Sequence, residues 1–165
     1  MRHKRAGYKL KRDVGARRSL LRNLVTSVIL EERISTTVTK AKAAKPLVDK
    51  MISLAKRDLR EYKTELERKA AALHARRQAA SFLNAPAAVK KLFDKLGSRF
   101  SQRKGGYTRI VRLGPRPGDG AEVALLELVG SELVKRAADR AKRREERLKA
   151  MREGREGEEP EQKPE

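Results

Sequence analysis

Hydrophobic residues recur at helical spacing near the start of the chain. After a polar leader, apolar side chains one, three and four residues apart define one helix face: Leu20, Leu21, Leu24, Val25, Val28 and Ile29. This pattern predicts an amphipathic helix that ends near Glu31 and Glu32. The next residues, Arg33 to Val38, form a short run rich in β-branched side chains, which predicts a strand.

A second helical pattern follows this strand. Thr39 is a suitable N-cap, and the apolar positions after it are Leu47, Val48, Met51, Ile52 and Ala55. Pro46 lies inside the pattern and has no backbone N–H to donate. The helix is therefore expected either to kink at Pro46 or to begin near Lys45.

The chain from Leu59 to Leu83 is rich in Ala, Glu, Lys and Arg, which are good helix formers. Because apolar residues are few there, the first half of this helix is predicted to protrude into solvent. Residues 84–86 interrupt the pattern, and Pro86 suits the first turn of a further helix, which Gly97 is predicted to stop. The core of that region is expected to include Phe82, Phe93 and Phe100.

The remainder of the chain changes character. Two segments, Tyr107 to Leu113 and Glu122 to Val129, are predicted to be strands, and the Gly- and Pro-rich residues 114–120 between them predict a loop connection. After Gly130 a charged segment has strong helix propensity but little to bury. From Glu153 onward the chain is acidic and bears Gly and Pro, so it is expected to be disordered.

This order of elements predicts an α+β fold. Its two layers would be helices on one face of a small mixed sheet, in the order helix, strand, three helices, two strands. The predicted organisation is a basic N-terminal extension (1–14), a globular core (15–129) and a charged extension (130–165), helical and then disordered. The apolar content supports one modest core.

Charge narrows the class of partner. The 165 residues include 42 Lys and Arg against 22 Asp and Glu, a net charge of +20. Such a balance is typical of proteins that neutralise phosphates.

Because there is no cysteine, disulfides and thiolate metal sites are excluded. No apolar run is long enough to cross a bilayer. The basic start shares features with a mitochondrial address, but its early Asp13 and few serines favour a cytoplasmic protein.

The leader, residues 1–12, carries the densest positive charge. It has no acidic residue and one aromatic, Tyr8, and its basic residues are Arg2, Lys4, Arg5, Lys9, Lys11 and Arg12. Such a segment has no apolar face whose burial would offset its conformational entropy, so we expect it to order on a polyanion. Arg17, Arg18 and Arg22 continue the charge onto the first helix.

A second basic segment spans residues 99–116 and also lacks acidic residues. Gly105 and Gly106 lack the spacing of a nucleotide-binding loop and precede a strand, so a flexible phosphate-contacting loop is the better interpretation. Tyr107 either stacks on an unpaired base or covers the edge of the core.

Candidate catalytic groups are weak. His3 and His74 are interpreted as RNA contacts or surface residues, because neither has a nucleophile and carboxylate nearby in sequence. No paired His or Cys spacing indicates a metal site. The sequence predicts no enzyme, no cofactor and no small-molecule substrate. Glu31 and Glu32 are interpreted as a helix end and Asp119 as a turn residue.

Several strings, taken in order, resemble the bacterial family of large-subunit ribosomal protein seventeen. The strings are Met1-Arg2-His3 with Gly7 and Leu10, Arg17 with Arg22-Asn23, Thr36-Thr37-Val38-Thr39-Lys40-Ala41-Lys42, Leu54-Ala55-Lys56, Lys91-Leu92-Phe93, Arg99-Phe100, Arg103 with Gly105-Gly106-Tyr107-Thr108-Arg109-Ile110, Gly118-Asp119-Gly120-Ala121 and Glu127-Leu128-Val129. The resemblance covers about residues 1–129. Val14-Gly15-Ala16-Arg17 departs from the family pattern, so that only the role of the arginine carries over. The helical stretch 59–72 is longer than in the compact family members, and the segment after Gly130 has no place in the shared core.

The resemblance implies a two-layer α+β protein that binds 23S-type ribosomal RNA and neighbouring large-subunit proteins near the nascent-chain exit side. Charge and resemblance together give these RNA-contact candidates: Arg2, His3, Lys4, Arg5, Tyr8, Lys9, Lys11, Arg12, Arg17, Arg18, Arg22, Asn23, Lys40, Lys42, Arg103, Lys104, Tyr107, Arg109 and Arg112. Two alternatives are a nucleoid-type DNA-binding architectural protein, which lacks an obvious wedge-tipped arm, and an RNA-modifying enzyme, which lacks candidate residues. The acidic tail either shields the protein before assembly, contacts a basic neighbour or is an unselected solvated end.

Overall fold

The computed structural model describes residues 7–59 and 64–130 together with the single positions Arg143 and Arg147. The chain divides into two units, Met1–Val129 and Gly130–Glu165. The fold below belongs to the first unit. The residues expected to form the C-terminal extension lie, apart from Gly130 and those two arginines, outside the described part.

The first helix, α1 (Val14–Glu31), forms as predicted and buries Val25, Val28 and Ile29. Asp13 caps its start by accepting a hydrogen bond from the Gly15 amide at 3.3 Å. Glu32 ends it in the left-handed conformation, with φ of 61°. The predicted helix end is therefore confirmed.

Strand β1 (Arg33–Thr37) leads directly into α2 (Val38–Ala55). The cap position is Thr37, so the predicted cap at Thr39 is wrong: the helix begins as soon as the strand ends. A start near Lys45 is also wrong, because α2 continues through Pro46. Pro46 is exposed, while Ala44 and Val48 on either side are fully buried. Burial of these neighbours offsets the loss of one backbone hydrogen bond.

A short 3₁₀ turn (Lys56–Leu59) follows α2, and α3 (Glu65–Phe82) begins later than predicted. Thr64 caps α3 by accepting a hydrogen bond from the Glu67 amide at 3.2 Å. Leu66 is 80% exposed, and α3 buries only Ala75 and Ala79. The predicted solvated first half is confirmed for residues 64–70, all of which are exposed.

Helix α4 (Pro86–Lys91) has Pro86 in its first turn, as predicted, and continues through a π-helical segment (Leu92–Leu96) into α5 (Gly97–Arg99). The predicted stop at Gly97 is wrong. A helix-terminating glycine adopts positive φ, whereas Gly97 has φ of −55° and is buried. A Cβ built on Gly97 would lie 3.7 Å from the Ala55 Cβ, so this residue is the point where α5 approaches α2.

Strands β2 (Thr108–Pro115) and β3 (Glu122–Leu128) complete a three-stranded sheet with the order β1-β3-β2. Both pairings are antiparallel, so the prediction of a mixed sheet is wrong. A bulge between Arg112 and Gly114 lets β2 run to Pro115, two residues beyond its predicted end. The loop between the strands spans residues 116–121.

One core joins the helices to the sheet. Helix α2 packs on all three strands, and α1 packs on β1 and β3. The largest fully buried side chains are Ile29, Ile52, Leu92, Leu96, Leu126, Leu128, Val25, Val28 and Val48. Phe93 and Phe100 are buried and Phe82 packs against this cluster, as expected. The α+β class predicted from the sequence is confirmed.

Candidate nucleic-acid interface

The described part of the leader forms a turn just before α1. The Arg12 amide donates to the Lys9 carbonyl at 3.2 Å, and Leu10 and Lys11 adopt positive φ of 56° and 48°. Lys9, Lys11 and Arg12 are exposed, and Tyr8 is 44% exposed. The turn therefore presents three cations and an aromatic ring to solvent. Arg2, His3, Lys4 and Arg5 lie outside the described residues.

The first turns of α1 extend this positive surface. Arg18 is exposed and Arg17 half-buried. Neither side chain has an ion pair within the described residues. Asp13 is the one acidic residue at positions 1–30 of the sequence, and its carboxylate is engaged in capping the helix. The positive charge here is available to an external anion.

Arg22 and Asn23 instead turn toward the rest of the protein. The Arg22 Nε donates to the Phe82 carbonyl at 2.7 Å, and its Nη2 donates to the Ser81 carbonyl at 2.9 Å. The Asn84 side-chain amide donates to the Asn23 Oδ1. Cationic groups commonly satisfy the free carbonyls at helix C-termini. These two candidates therefore hold α1 against the end of α3, a contact 59 to 61 residues away in sequence.

Thr26 completes the same junction. Its hydroxyl donates to the Arg22 carbonyl at 2.8 Å and accepts a hydrogen bond from the Asn84 amide at 3.3 Å. The side chain is only 7% exposed, so the loop after α3 is fixed against α1 by a buried polar contact.

The start of α2 carries two further candidates. Lys42 is exposed and Lys40 half-buried, and neither has an ion pair among the residues described here. Sequence reasoning did not single out Lys45 and Lys50, which extend this series of lysines along α2. The signal was present in the sequence, because Asp49 is the only acidic residue of that helix.

The basic segment from Arg99 to Arg116 separates into two groups. Arg99 donates to a Glu32 carboxylate oxygen at 2.6 Å, Arg109 pairs with Glu127 and Arg116 with Asp119. These partners lie elsewhere in the chain or, for Asp119, in the loop that follows. The side chains of Lys104 and Arg112 are exposed and, within the described chain, carry no ion pair. Arg103 donates to the Gly105 carbonyl at 3.0 Å, which orders the loop before β2.

The two aromatic candidates differ in accessibility. Tyr107 is 3% exposed and lies edge-on to Phe100, with 5.3 Å between ring centroids. The Lys56 ammonium lies 5.5 Å from the Tyr107 ring centroid. This burial favours the core-edge alternative for Tyr107. Of the two rings, only that of Tyr8 is exposed.

Glu32 is the centre of the main ion-pair cluster. Its carboxylate is 3.1 Å from the Lys91 ammonium and 2.6 Å from the Arg99 guanidinium. Burial raises the pKa of Glu32, but the hydrogen bonds from Arg99 and Lys91 outweigh this effect and hold it below its ordinary value. Lys91 also donates to the Leu30 carbonyl at 2.6 Å, so the cluster ties α1 to α4.

Asp119 and Arg116 form an exposed pair in the β2–β3 loop. The hydrogen bond from Arg116 lowers the pKa of Asp119 to about 2, with a further contribution from the Ala121 amide. The same contact raises the pKa of Arg116. Asp119 is thus a turn residue, as the sequence indicated.

The described residues contain no group of three or more His, Asp or Glu side chains able to hold a metal ion. Among them, no helix is long and apolar enough to cross a membrane. His74 is exposed on α3. The chemistry this surface offers is the binding of anions by lysine and arginine side chains.

Comparison with known proteins places the chain among ribosomal proteins. The family model described as Ribosomal protein L17 matches residues 20–129. The large ribosomal subunit protein bL17 of Solibacter usitatus is 70% identical over 154 residues, which cover 93% of this chain and 94% of that protein. The bL17 protein of Koribacter versatilis is 52% identical over 157 residues (92% and 89%), and that of Clostridium acetobutylicum is 50% identical over 125 residues (75% and 98%).

Proposed function

Because the chain belongs to the ribosomal protein L17 family, we propose that it is a structural constituent of the large ribosomal subunit that binds and stabilises 23S-type ribosomal RNA during translation. Its partners would be that RNA and neighbouring large-subunit proteins. It would be located in the cytoplasm, within the large ribosomal subunit. It would contribute no catalysis and require no cofactor.

The observation that carries this proposal is a group of cations, from the end of the leader into α1, that have no ion pair within the described residues. Lys9, Lys11, Arg12, Arg17 and Arg18 are five of the ten residues at positions 9–18, and the one acidic residue among those ten is the capping Asp13. Cations without internal partners lose no ion pair when they contact phosphate, so each can displace condensed counterions from RNA. Lys40, Lys42, Lys104 and Arg112 are further exposed or half-exposed cations of this kind.

Selectivity for RNA would come from shape and from unpaired bases. Phosphate contacts fix register but carry little sequence information. Structured RNA offers splayed bases that aromatic side chains can stack on, and Tyr8 lies between the basic residues of the leader.

Deletion of residues 1–12 tests the proposal. The leader contains six basic residues, so its removal is expected to weaken binding to deproteinised large-subunit RNA. The slope of log affinity against log salt should fall by roughly three to five. The matched control carries the same twelve residues in shuffled order, which keeps the charge and should retain most of the slope. Unchanged affinity and slope after deletion would exclude the leader as a contact element.

Two measurements address the wider assignment. Unlabelled duplex DNA should compete poorly with labelled ribosomal RNA, and equal competition would support the DNA-binding alternative. In a sucrose gradient of cell extract the protein should co-migrate with the large subunit at moderate salt. Migration at the top of the gradient would contradict the proposal.

A further inference from the structure

A cleft of about 490 Å³ lies between α2 and α3, among residues that the sequence did not mark as a site. Its rim includes Lys50 and Arg57 from the α2 side and Gln78 from α3, and its apolar wall includes Leu54 and Phe82. Leu54 is 7% exposed, while Lys50 and Gln78 are exposed at the rim. The volume is within the usual range for small-ligand pockets, about 300–1,000 Å³.

The α3 wall of this cleft is held in place by a side chain of α1. Arg22 binds the carbonyls of Ser81 and Phe82, which immobilises the backbone that carries the aromatic ring. The Ser81 hydroxyl donates to the Gln78 carbonyl at 2.8 Å, so this part of the wall is tied internally as well. A site fixed before its ligand arrives loses less conformational entropy on binding.

The lining combines three kinds of group. The Lys50 ammonium suits a phosphate, the Gln78 amide both donates and accepts hydrogen bonds, and the Phe82 ring suits a flat aromatic ligand. A simple inorganic anion would leave the aromatic ring unused, and a purely apolar ligand would leave the cation and the amide unused. A nucleotide can contact all three groups, with its phosphate, the edge of its base and the face of its base.

We propose that this cleft binds one unpaired nucleotide of ribosomal RNA. The base lies against Phe82, the Gln78 amide contacts its edge, and Lys50 contacts its phosphate. The inference rests on the proposed RNA binding and extends it from backbone neutralisation to recognition of a base taken out of the stack.

Single substitutions in the full-length protein test the cleft, with deproteinised large-subunit RNA as the probe. Gln78→Ala removes the amide at an exposed helix position and should weaken binding about threefold to tenfold without changing the salt slope. Lys50→Ala should lower the slope by about one. Lys95→Ala is the control: it removes an exposed lysine outside the cleft, and the loss of affinity should be smaller than for Gln78→Ala.

Ultraviolet cross-linking provides the second readout. In the wild-type complex RNA should cross-link to the tryptic peptide of residues 78–90, which contains Phe82, and Gln78→Ala should reduce that yield. Wild-type affinity of Gln78→Ala together with no cross-link on this peptide would overturn the cleft assignment. If deletion of the leader still weakens RNA binding in that case, the proposed function stands. If leader deletion also has no effect, both proposals fail. If Gln78→Ala binds RNA like the wild type but binds large-subunit proteins differently, the cleft assignment is also overturned, and the ligand of the cleft is a protein.

Discussion

Arg22 is expected to act on stability and Arg18 on RNA binding, although both are arginines on α1. Replacing Arg22 with alanine removes two hydrogen bonds, at 2.7 Å and 2.9 Å, to carbonyls at the end of α3. A hydrogen bond from a charged donor is worth roughly 1.5–3 kcal/mol when it is protected from water. One of the two Arg22 bonds is exposed and contributes less. We therefore expect Arg22→Ala to lower the free energy of unfolding by about 2 kcal/mol.

The assay measures both properties on each variant. A loss of this size should lower Tm by roughly 5–10 °C, which circular dichroism can follow. Arg22→Lys retains one charged donor and should lose about half as much, because an ammonium cannot reach two carbonyls with the geometry of a guanidinium. Arg18→Ala should leave Tm unchanged and reduce the salt slope of RNA binding by about one.

The opposite result would refute the reasoning. If Arg22→Ala unfolds like the wild type while its salt slope falls by one, then Arg22 is a phosphate contact, as the sequence alone suggested. In that case the hydrogen bonds to Ser81 and Phe82 contribute little, and the junction between α1 and α3 is held by Thr26 and apolar packing.

Two further predictions concern the acidic residues. Glu32→Gln should destabilise the protein by about 1–3 kcal/mol at pH 7, because Lys91 and Arg99 remain close together without their carboxylate. Since the folded-state pKa of Glu32 is depressed, its stabilisation is present above the ordinary value of 4.5 and is lost as pH falls through the lower folded value. Urea unfolding at pH 7 and pH 3 should therefore show a smaller pH dependence for Glu32→Gln than for the wild type, and equal dependence would contradict the cluster. For Asp119, carboxyl chemical shifts should show titration near pH 2, and Arg116→Ala should move the pKa toward 3.8; an unchanged titration in that variant would exclude the ion pair as the cause.

The sequence predicted those elements whose signals are local. The apolar spacing located α1, the β-branched run located β1, and Pro86 located the start of α4. The errors arose where packing outweighs local preference. Pro46 is tolerated because buried residues on both sides hold α2 together, and Gly97 continues a helix because that helix packs closely on α2.

The candidate interface residues also differ in whether local sequence or distant packing determines their role. The exposed cations of the leader and of α1 follow from sequence, because no acidic residue other than Asp13 lies near them. The partners of Arg22 and Arg99 could not be predicted from local sequence. Those of Arg22 lie 59 and 60 residues away along the chain, and those of Arg99 lie 67 and 30 residues away. The sequence shows how many lysines and arginines the chain has, but only the fold shows which of them already bind carboxylates or carbonyls of the same chain.

Four of the engaged cations share a chemical feature. Arg22, Arg99, Arg109 and Arg116 each use two guanidinium nitrogens, on a pair of carbonyls, on a carboxylate with a carbonyl, or on a single carboxylate. A planar fork with several fixed donors can hold two acceptors at once, which a flexible ammonium cannot do with the same geometry. Lysines at 40, 42, 45, 50 and 104 show no ion pair in the ranges 7–59 and 64–130 and suit contacts that need only a point charge. In this chain these four arginines, together with Lys56 and Lys91, hold parts of the fold together, whereas Lys40, Lys42, Lys45, Lys50 and Lys104, together with Arg12, Arg17, Arg18 and Arg112, form the surface proposed to bind RNA.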